Sequence, residues 1–362
     1  MTDKSRLVDI SRENFEALAP QERAPYFNED GRVFHALLAQ QFDRASLDTL
    51  CDLATGIRRI AKSKEGMQFL QGLLCHKRAM FYFTQPSSRT YLSFQAACKI
   101  LGMSTADVRD PDTSSERKGE SQEDSVRTFS SYFDMIIMRS KISGLAEKMA
   151  WVLSNSERPI PIINAGSAQD QHPTQALLDI YTLERSFEHL GGVDGKSIMF
   201  VGDLKRGRTV RSLAILLTQF DDVTQYFVAP AEFQLKADTQ AILKQAKVAF
   251  ALSDDFEGCI AKADAIYMTR VQDEYDAHPG QSQKIDISKY HFKVQHLQKL
   301  GAHAIIMHPF PRRQEIAVDV DHDPRAMYWR QMRNGMWIRV ALIATIFGCA
   351  PEVLDYYRKH LG

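Results

Sequence analysis

The residues Thr84-Gln85-Pro86-Ser87-Ser88-Arg89-Thr90 stand between an apolar run, Ala79-Met80-Phe81-Tyr82-Phe83, and a segment of helical character from Tyr91 to Leu101. A short apolar run reads as a buried strand. Pro86 interrupts it, and Ser87 is placed to cap the helix that follows. In that arrangement the hydroxyls of Ser87, Ser88 and Thr90, the Arg89 guanidinium and free backbone N–H groups gather at the positive end of a helix dipole, where an anion is favoured. The chemistry indicated is phosphate binding. The loop lacks the glycines and the lysine of a Walker A sequence, so a small phosphate ester or acyl phosphate fits it better than a nucleoside triphosphate. Taken alone, the same residues read equally well as a capped helix with a solvated arginine.

Further candidates fall at the ends of other apolar runs. Arg139 follows Met135-Ile136-Ile137-Met138, and Asn164-Ala165-Gly166 follows Pro161-Ile162-Ile163. His172 precedes Pro173, which suits the first turn of a helix. A histidine there is more often a cap or a surface group, but after a strand end a neutral imidazole could donate to a substrate oxygen. Gly202-Asp203-Leu204-Lys205-Arg206-Gly207-Arg208-Thr209 follows a strand, yet its glycines lack the spacing of a dinucleotide loop. Arg208 reads more simply as a clamp for a carboxylate or phosphate. Thr269-Arg270-Val271-Gln272 and His308-Pro309-Phe310-Pro311-Arg312 complete the set. No cysteine or carboxylate stands where it could attack a substrate.

The elements that must position these groups alternate. Strands are expected at residues 79–83, 104–108, 135–138, 161–163, 197–201, 226–228, 248–252, 265–268 and 304–307, with helices between them. Such alternation implies mostly parallel sheets covered on both faces, which place ligands at the carboxyl ends of their strands. The expected fold is α/β, two doubly wound, mostly parallel domains joined by helices. Residues 1–40 read as an N-terminal extension of short helices laid on the surface. One domain spans 41–172 plus 328–362, the other 173–327. The helix from Pro173 is a candidate bridge, and a long amphipathic helix runs from Tyr328 to Phe347.

The 362 residues carry 45 basic and 45 acidic side chains, so no net field draws nucleic acid or an anionic membrane. No apolar run is long enough to span a bilayer, and Met1 to Arg6 lacks the apolar core of a signal peptide. A cytoplasmic location is expected. The five cysteines are scattered and never spaced Cys-x-x-Cys, which argues against a zinc site and a disulfide framework. No metal or cofactor is expected.

Phe83-x-x-Pro-Ser-Ser-Arg-Thr90, Ser114-Ser115-x-x-Lys118-Gly119-Glu120, Met138-Arg139, Asn164-Ala165-Gly166, His172-Pro-Thr-Gln175, Gly202-Asp-Leu-Lys-x-Gly-Arg-Thr209, Arg270-Val-Gln272 and His308-Pro-Phe-Pro-Arg312 together resemble the ordered motifs of the aspartate carbamoyltransferases. The resemblance extends from about Phe42 to Phe347. It implies that Ser87, Ser88, Arg89 and Thr90 hold carbamoyl phosphate, with Arg139 reaching its phosphate and carbonyl oxygens. His172 and Thr90 would polarise that carbonyl, and Gln175 with the backbone carbonyls of Pro309 and Phe310 would hold the carbamoyl amide. Arg208 and Thr209 would take the α-carboxylate of L-aspartate, and Arg270 and Gln272 its side-chain carboxylate. Ser114 and Lys118 would enter the site of a neighbouring subunit, which implies a homotrimer with shared sites, open to regulatory or pathway-partner chains. The 41–172 domain would then bind carbamoyl phosphate and the 173–327 domain aspartate. The Phe310–Pro311 bond becomes a candidate for the cis form.

Five positions depart from the family pattern. Gln85 stands where a glutamate is usual, Tyr275 where a second basic residue is common, and Ser167-Ala168 with Asp170 replace a Gly-Asp-Gly neighbourhood. Three functions follow: an aspartate carbamoyltransferase, a carbamoyltransferase with another amino acid or ureido acceptor, or a silent homologue acting in assembly or regulation. The last is disfavoured because every expected anion-binding residue is present.

Overall fold

The computed structural model describes residues 6–109, 119–168, 171–276, 278 and 280–361. The chain divides into two compact units, Met1–Thr174 with Gly335–Gly362, and Gln175–Asn334. The divisions fall inside two helices.

In the first unit, α1 (Arg44–Ile60) and α2 (Lys64–Leu73) lead into a sheet. Asp43 and Ser63 cap these helices, accepting the Ser46 and Gly66 N–H groups at 2.9 Å each. The stripe Leu47, Leu50, Leu53, Ile57 and Ile60 is buried, as its helical spacing requires. The elements β1 (Arg78–Phe83), α3 (Ser88–Ile100), β2 (Ser104–Val108), α4 (Gln122–Tyr132), β3 (Met135–Ser140), α5 (Leu145–Ser154) and β4 (Ile162–Ser167) follow, with α6 (Pro173–Phe187) after them. All pairings are parallel and the strand order is β2-β1-β3-β4. The central strands β1 and β3 are buried along nearly their whole length, hence their unbroken apolar runs.

Residues 6–41 form short helical turns, as expected, but they do not simply lie on the surface. Leu7, Phe15, Phe27, Leu37 and Leu38 belong to the same buried cluster as Met80, Ile136, Met138 and Ile162. The Ala36 backbone pairs with the edge of β4, donating to the Ile162 carbonyl and accepting from Asn164 N–H at 2.9 Å each. An otherwise open strand edge is thereby covered. The sequence pattern missed this because two prolines and polar neighbours break the apolar periodicity.

The second unit repeats the scheme with β5 (Ser197–Val201), α7 (Arg208–Leu216), β6 (Thr224–Val228), α8 (Ala237–Gln245), β7 (Ala249–Ser253), α9 (Phe256–Ile260), β8 (Ala265–Met268) and β9 (Ile305–Met307). Its five strands are all parallel, in the order β9-β8-β5-β6-β7. Two helices close the chain, α10 (Tyr328–Ile346) and α11 (Ala350–His360).

His35 ties the N-terminal segment to the first sheet. It is 1 % exposed, its Nδ1 accepts the Ile162 N–H at 3.0 Å, and its Nε2 meets Ser154 Oγ at 3.0 Å. The ring is therefore neutral with its proton on Nε2. Burial pushes its pKa down to about 3. The unfolded chain takes up this proton below about pH 6.5, whereas the folded chain does not until far lower. The stabilisation is complete above pH 6.5 and is lost as pH falls toward 3. Denaturant unfolding should therefore show a loss of about 2 kcal/mol from this group between pH 7 and pH 5, absent in His35→Gln.

Candidate active site

Each sheet reverses its winding once, and the crevice beyond the strand ends at such a reversal is open to ligands. In the first unit the reversal lies between β1 and β3. In the second it lies between β5 and β8.

At the first reversal the chain leaves β1 into Thr84, whose N–H donates to the Arg139 carbonyl at 2.9 Å, followed by the Gln85 N–H at 3.3 Å. Phe83 and Arg139 are register partners, so the Thr84–Thr90 loop begins beside the arginine. Ser87 occupies the N-cap position of α3, but its side chain accepts no hydrogen bond there. The serine marks the helix start without using the donors of the first turn, which corrects the expected capping role. Ser88 and Arg89 are exposed and Thr90 is buried.

Arg139 is 7 % exposed, and its Nη1 donates to the Ala165 carbonyl at 2.9 Å. Gly166 has φ +117°, and a Cβ there would lie 2.6 Å from Arg139 Nη1 and 3.3 Å from His172 Cδ2. Only glycine lets the end of β4 run this close to both side chains. Arg139 and His172 are thus brought together against one stretch of backbone. Asn164 accepts the Gly166 N–H at 2.8 Å and donates to the Leu37 carbonyl at 3.0 Å. Gln171, next to His172, accepts from Ala39 N–H and donates to Gln40 Oε1, both at 2.7 Å. The segment at 37–40 therefore braces the residues on either side of His172 and Gly166, a role the sequence pattern did not reveal. Ser114, Lys118 and Asp170 lie outside the described residues.

At the second reversal Gly202, with φ +115°, allows the loops after β5 and β8 to touch, since a Cβ there would lie 2.1 Å from the Thr269 carbonyl oxygen. Arg208 and Thr209 open α7. The Asp203 carboxylate, fully buried, accepts from Arg206 Nε at 2.7 Å and from the Gln272 N–H at 3.0 Å. Arg206 continues to Asp276 at 2.7 Å and to Ser282 Oγ at 2.8 Å. Arg270 pairs with Glu274, one of the two contacts at 2.8 Å, and Arg313 grips Asp273 at 2.8 and 2.9 Å. The segment carrying Arg270 and Gln272 is thus held by arginines from two other strand-end loops. Arg206 and Arg313 were not among the expected site residues. The only sequence signal for Arg206 was its i,i+3 spacing from Asp203.

Pro309 and Phe310 follow β9, and the Phe310–Pro311 bond is cis. His308 Nδ1 accepts the Phe310 N–H at 2.8 Å, so its Nε2 donates to Glu315 at 2.7 Å. Burial opposes the charge of Glu315, but the hydrogen bonds from His308 and the Arg313 N–H hold its carboxyl below the ordinary value. Gln175 sits in the first turn of α6, 5 % exposed.

Two family domains match the chain. The carbamoyl-phosphate-binding domain of aspartate/ornithine carbamoyltransferases matches residues 35–185, and their aspartate/ornithine-binding domain matches 194–346. The chain is 40 % identical to aspartate carbamoyltransferase 1, chloroplastic, of Pisum sativum over 331 residues, 90 % of this chain and 82 % of that protein. It is 42 % identical to the chloroplastic aspartate carbamoyltransferase of Arabidopsis thaliana over 307 residues, 84 % of this chain and 75 % of that one. Among solved structures, the aspartate transcarbamoylase of Trypanosoma cruzi in complex with N-(phosphonacetyl)-L-aspartic acid is similar at TM-score 0.77 and 33 % identity, covering 86 % of this chain and 96 % of that one. With both domains matched in order and these identities over most of its length, the chain belongs to the aspartate/ornithine carbamoyltransferase family.

Proposed function

We propose that the chain is an aspartate carbamoyltransferase, moving the carbamoyl group of carbamoyl phosphate onto the amino group of L-aspartate to give N-carbamoyl-L-aspartate and phosphate in de novo pyrimidine synthesis. The observation that carries this reading is the pair of guanidinium groups at the second winding reversal, Arg208 opening α7 and Arg270 following β8. A dicarboxylic acceptor needs two cations, and a cationic acceptor such as ornithine is repelled by them.

In this reading Ser87, Ser88, Arg89 and Thr90 hold the phosphate at the N-terminus of α3, with Ser114 and Lys118 of a neighbouring subunit. Arg139 spans the phosphate and the carbonyl oxygen. The amine attacks the carbonyl carbon, a proton leaves the nitrogen, and the bond to the phosphate oxygen breaks as phosphate departs. Arg139, His172 and Thr90 face the oxygen that becomes negative in between. Arg208 and Thr209 take the α-carboxylate, and Arg270 and Gln272 the side-chain carboxylate. The protein supplies orientation and charge stabilisation, and no covalent intermediate is required. A homotrimer is the proposed assembly. Cys51, Cys75, Cys98, Cys259 and Cys349 form no disulfide, which fits a reducing compartment, and we place the protein in the cytoplasm.

A colorimetric ureido assay with aspartate, ornithine and other amino acids tests the reading directly. Product should form with aspartate and carbamoyl phosphate, and product with ornithine alone would overturn it. His172→Ala and Arg139→Ala should each lower kcat by about 10²–10³, the usual loss for one oxyanion donor, with melting temperature held within a few degrees. For shared sites, mixing inactive Lys118→Ala and Arg89→Ala proteins should restore part of the activity, because some sites in the mixed trimers then carry neither substitution. No recovery after subunit exchange would rule out a site built from two chains.

A further inference from the structure

Beneath Gln175 lies a buried polar group that the reaction as described does not use. Asp179 is one turn further along α6 and 0 % exposed. Its Oδ1 accepts from Gln175 Nε2 at 2.9 Å and from Gln331 Nε2 at 2.6 Å, and its Oδ2 from the Tyr267 hydroxyl at 2.8 Å. A carboxylate taken out of water is costly unless its oxygens are filled, and these donors favour the ionised form. Tyr267, also 0 % exposed, stands on β8 three residues before Arg270. Burial first, then the Asp179 charge, raise its pKa well above the ordinary value, so the phenol keeps its proton for Asp179.

The consequence concerns which end of Gln175 meets substrate. An ionised carboxylate can only accept, so the group facing Asp179 must be the NH₂ of the glutamine. With Nε2 held on Asp179, Oε1 is the end of the amide turned away from the carboxylate. We infer that Asp179 and Tyr267 are positioning residues that force Gln175 to present an acceptor, and thereby set the preference for a carbamoyl NH₂ over a methyl group at the acyl phosphate. This rests on the proposed contact between Gln175 and the carbamoyl amide. The neighbouring groups proposed for that contact, the Pro309 and Phe310 carbonyls, are acceptors too. Their loop is tied to the same network, since the His308 N–H donates to Gln331 Oε1 at 2.9 Å. A methyl group would leave these oxygens unpaired, the situation in which a hydrogen-bonding site discriminates most strongly.

The test compares kcat/KM for carbamoyl phosphate with the Ki of acetyl phosphate as a competitive inhibitor, at saturating aspartate. In Asp179→Asn the new amide can donate to Gln175 and let it turn. The carbamoyl-over-acetyl preference should then fall at least ~10-fold, with acetyl phosphate binding changed less than about twofold. Tyr267→Phe keeps the ring and removes a donor that keeps Asp179 ionised, and a protonated Asp179 can donate to Gln175 and let it turn, so the preference should shift the same way by a few-fold; this variant carries the test if Asp179→Asn does not fold. Equal weakening of both ligands, or an unchanged preference in Tyr267→Phe, would overturn the inference. A wild-type protein that forms no carbamoyl-aspartate would instead defeat the proposed function itself.

Discussion

The backbone contact between neighbouring parallel strands at each winding reversal is the constraint on which the sites depend. In the first unit it is the Thr84 N–H on the Arg139 carbonyl, and in the second the Thr269 N–H on the Val201 carbonyl at 2.8 Å. Each joins the first residue of one loop to the end of the adjacent strand. Because the connecting helices leave to opposite sides, nothing in either sheet covers the residues that follow. Glycine completes the arrangement: Gly166 admits Arg139 and His172, and Gly202 admits the Thr269 backbone. A side chain at either place would push these neighbouring groups apart.

The chemistry follows from charge. Two anionic reactants repel one another, and the transition state of acyl transfer adds negative charge to the carbonyl oxygen. Several guanidinium groups at the strand ends are each oriented by a carbonyl or carboxylate behind them. Arg139 leans on the Ala165 carbonyl, Arg270 on Glu274, and Arg206 on Asp203 and Asp276. Fixing the cations beforehand lowers the reorganisation needed as the reaction proceeds.

Much of this was legible in the sequence, and the exceptions have physical causes. Short apolar runs located the central strands, which are buried on both faces and so lose the alternation that would otherwise confuse the pattern, whereas the edge strands β2 and β7 are largely exposed. Polar residues just past those runs marked the loops at both reversals. Three things were not visible. The burial of Phe15 and Phe27 depends on a tertiary partner, β3 and α5, that no local periodicity encodes. Ser87 has the residue type of a cap and occupies the N-cap position, yet its side chain makes no capping hydrogen bond. Asp179 lies four residues after Gln175 within the apolar stretch Ala176–Tyr181, where a carboxylate looks like a flaw until Tyr267 and Gln331, distant in sequence, are seen to fill it.

The central claim is that the loop after β1 with Arg139 receives a phosphate while Arg208 and Arg270 receive a dicarboxylate in the same turnover. A crystal structure of the protein with N-(phosphonacetyl)-L-aspartic acid tests it most directly. The account predicts the phosphonate on the Ser88–Thr90 backbone N–H groups and Arg139, the acyl oxygen at His172, one carboxylate on Arg208 and the other on Arg270. A ligand bound with its phosphonate on Arg208 or Arg270, or with either carboxylate away from both, would contradict it.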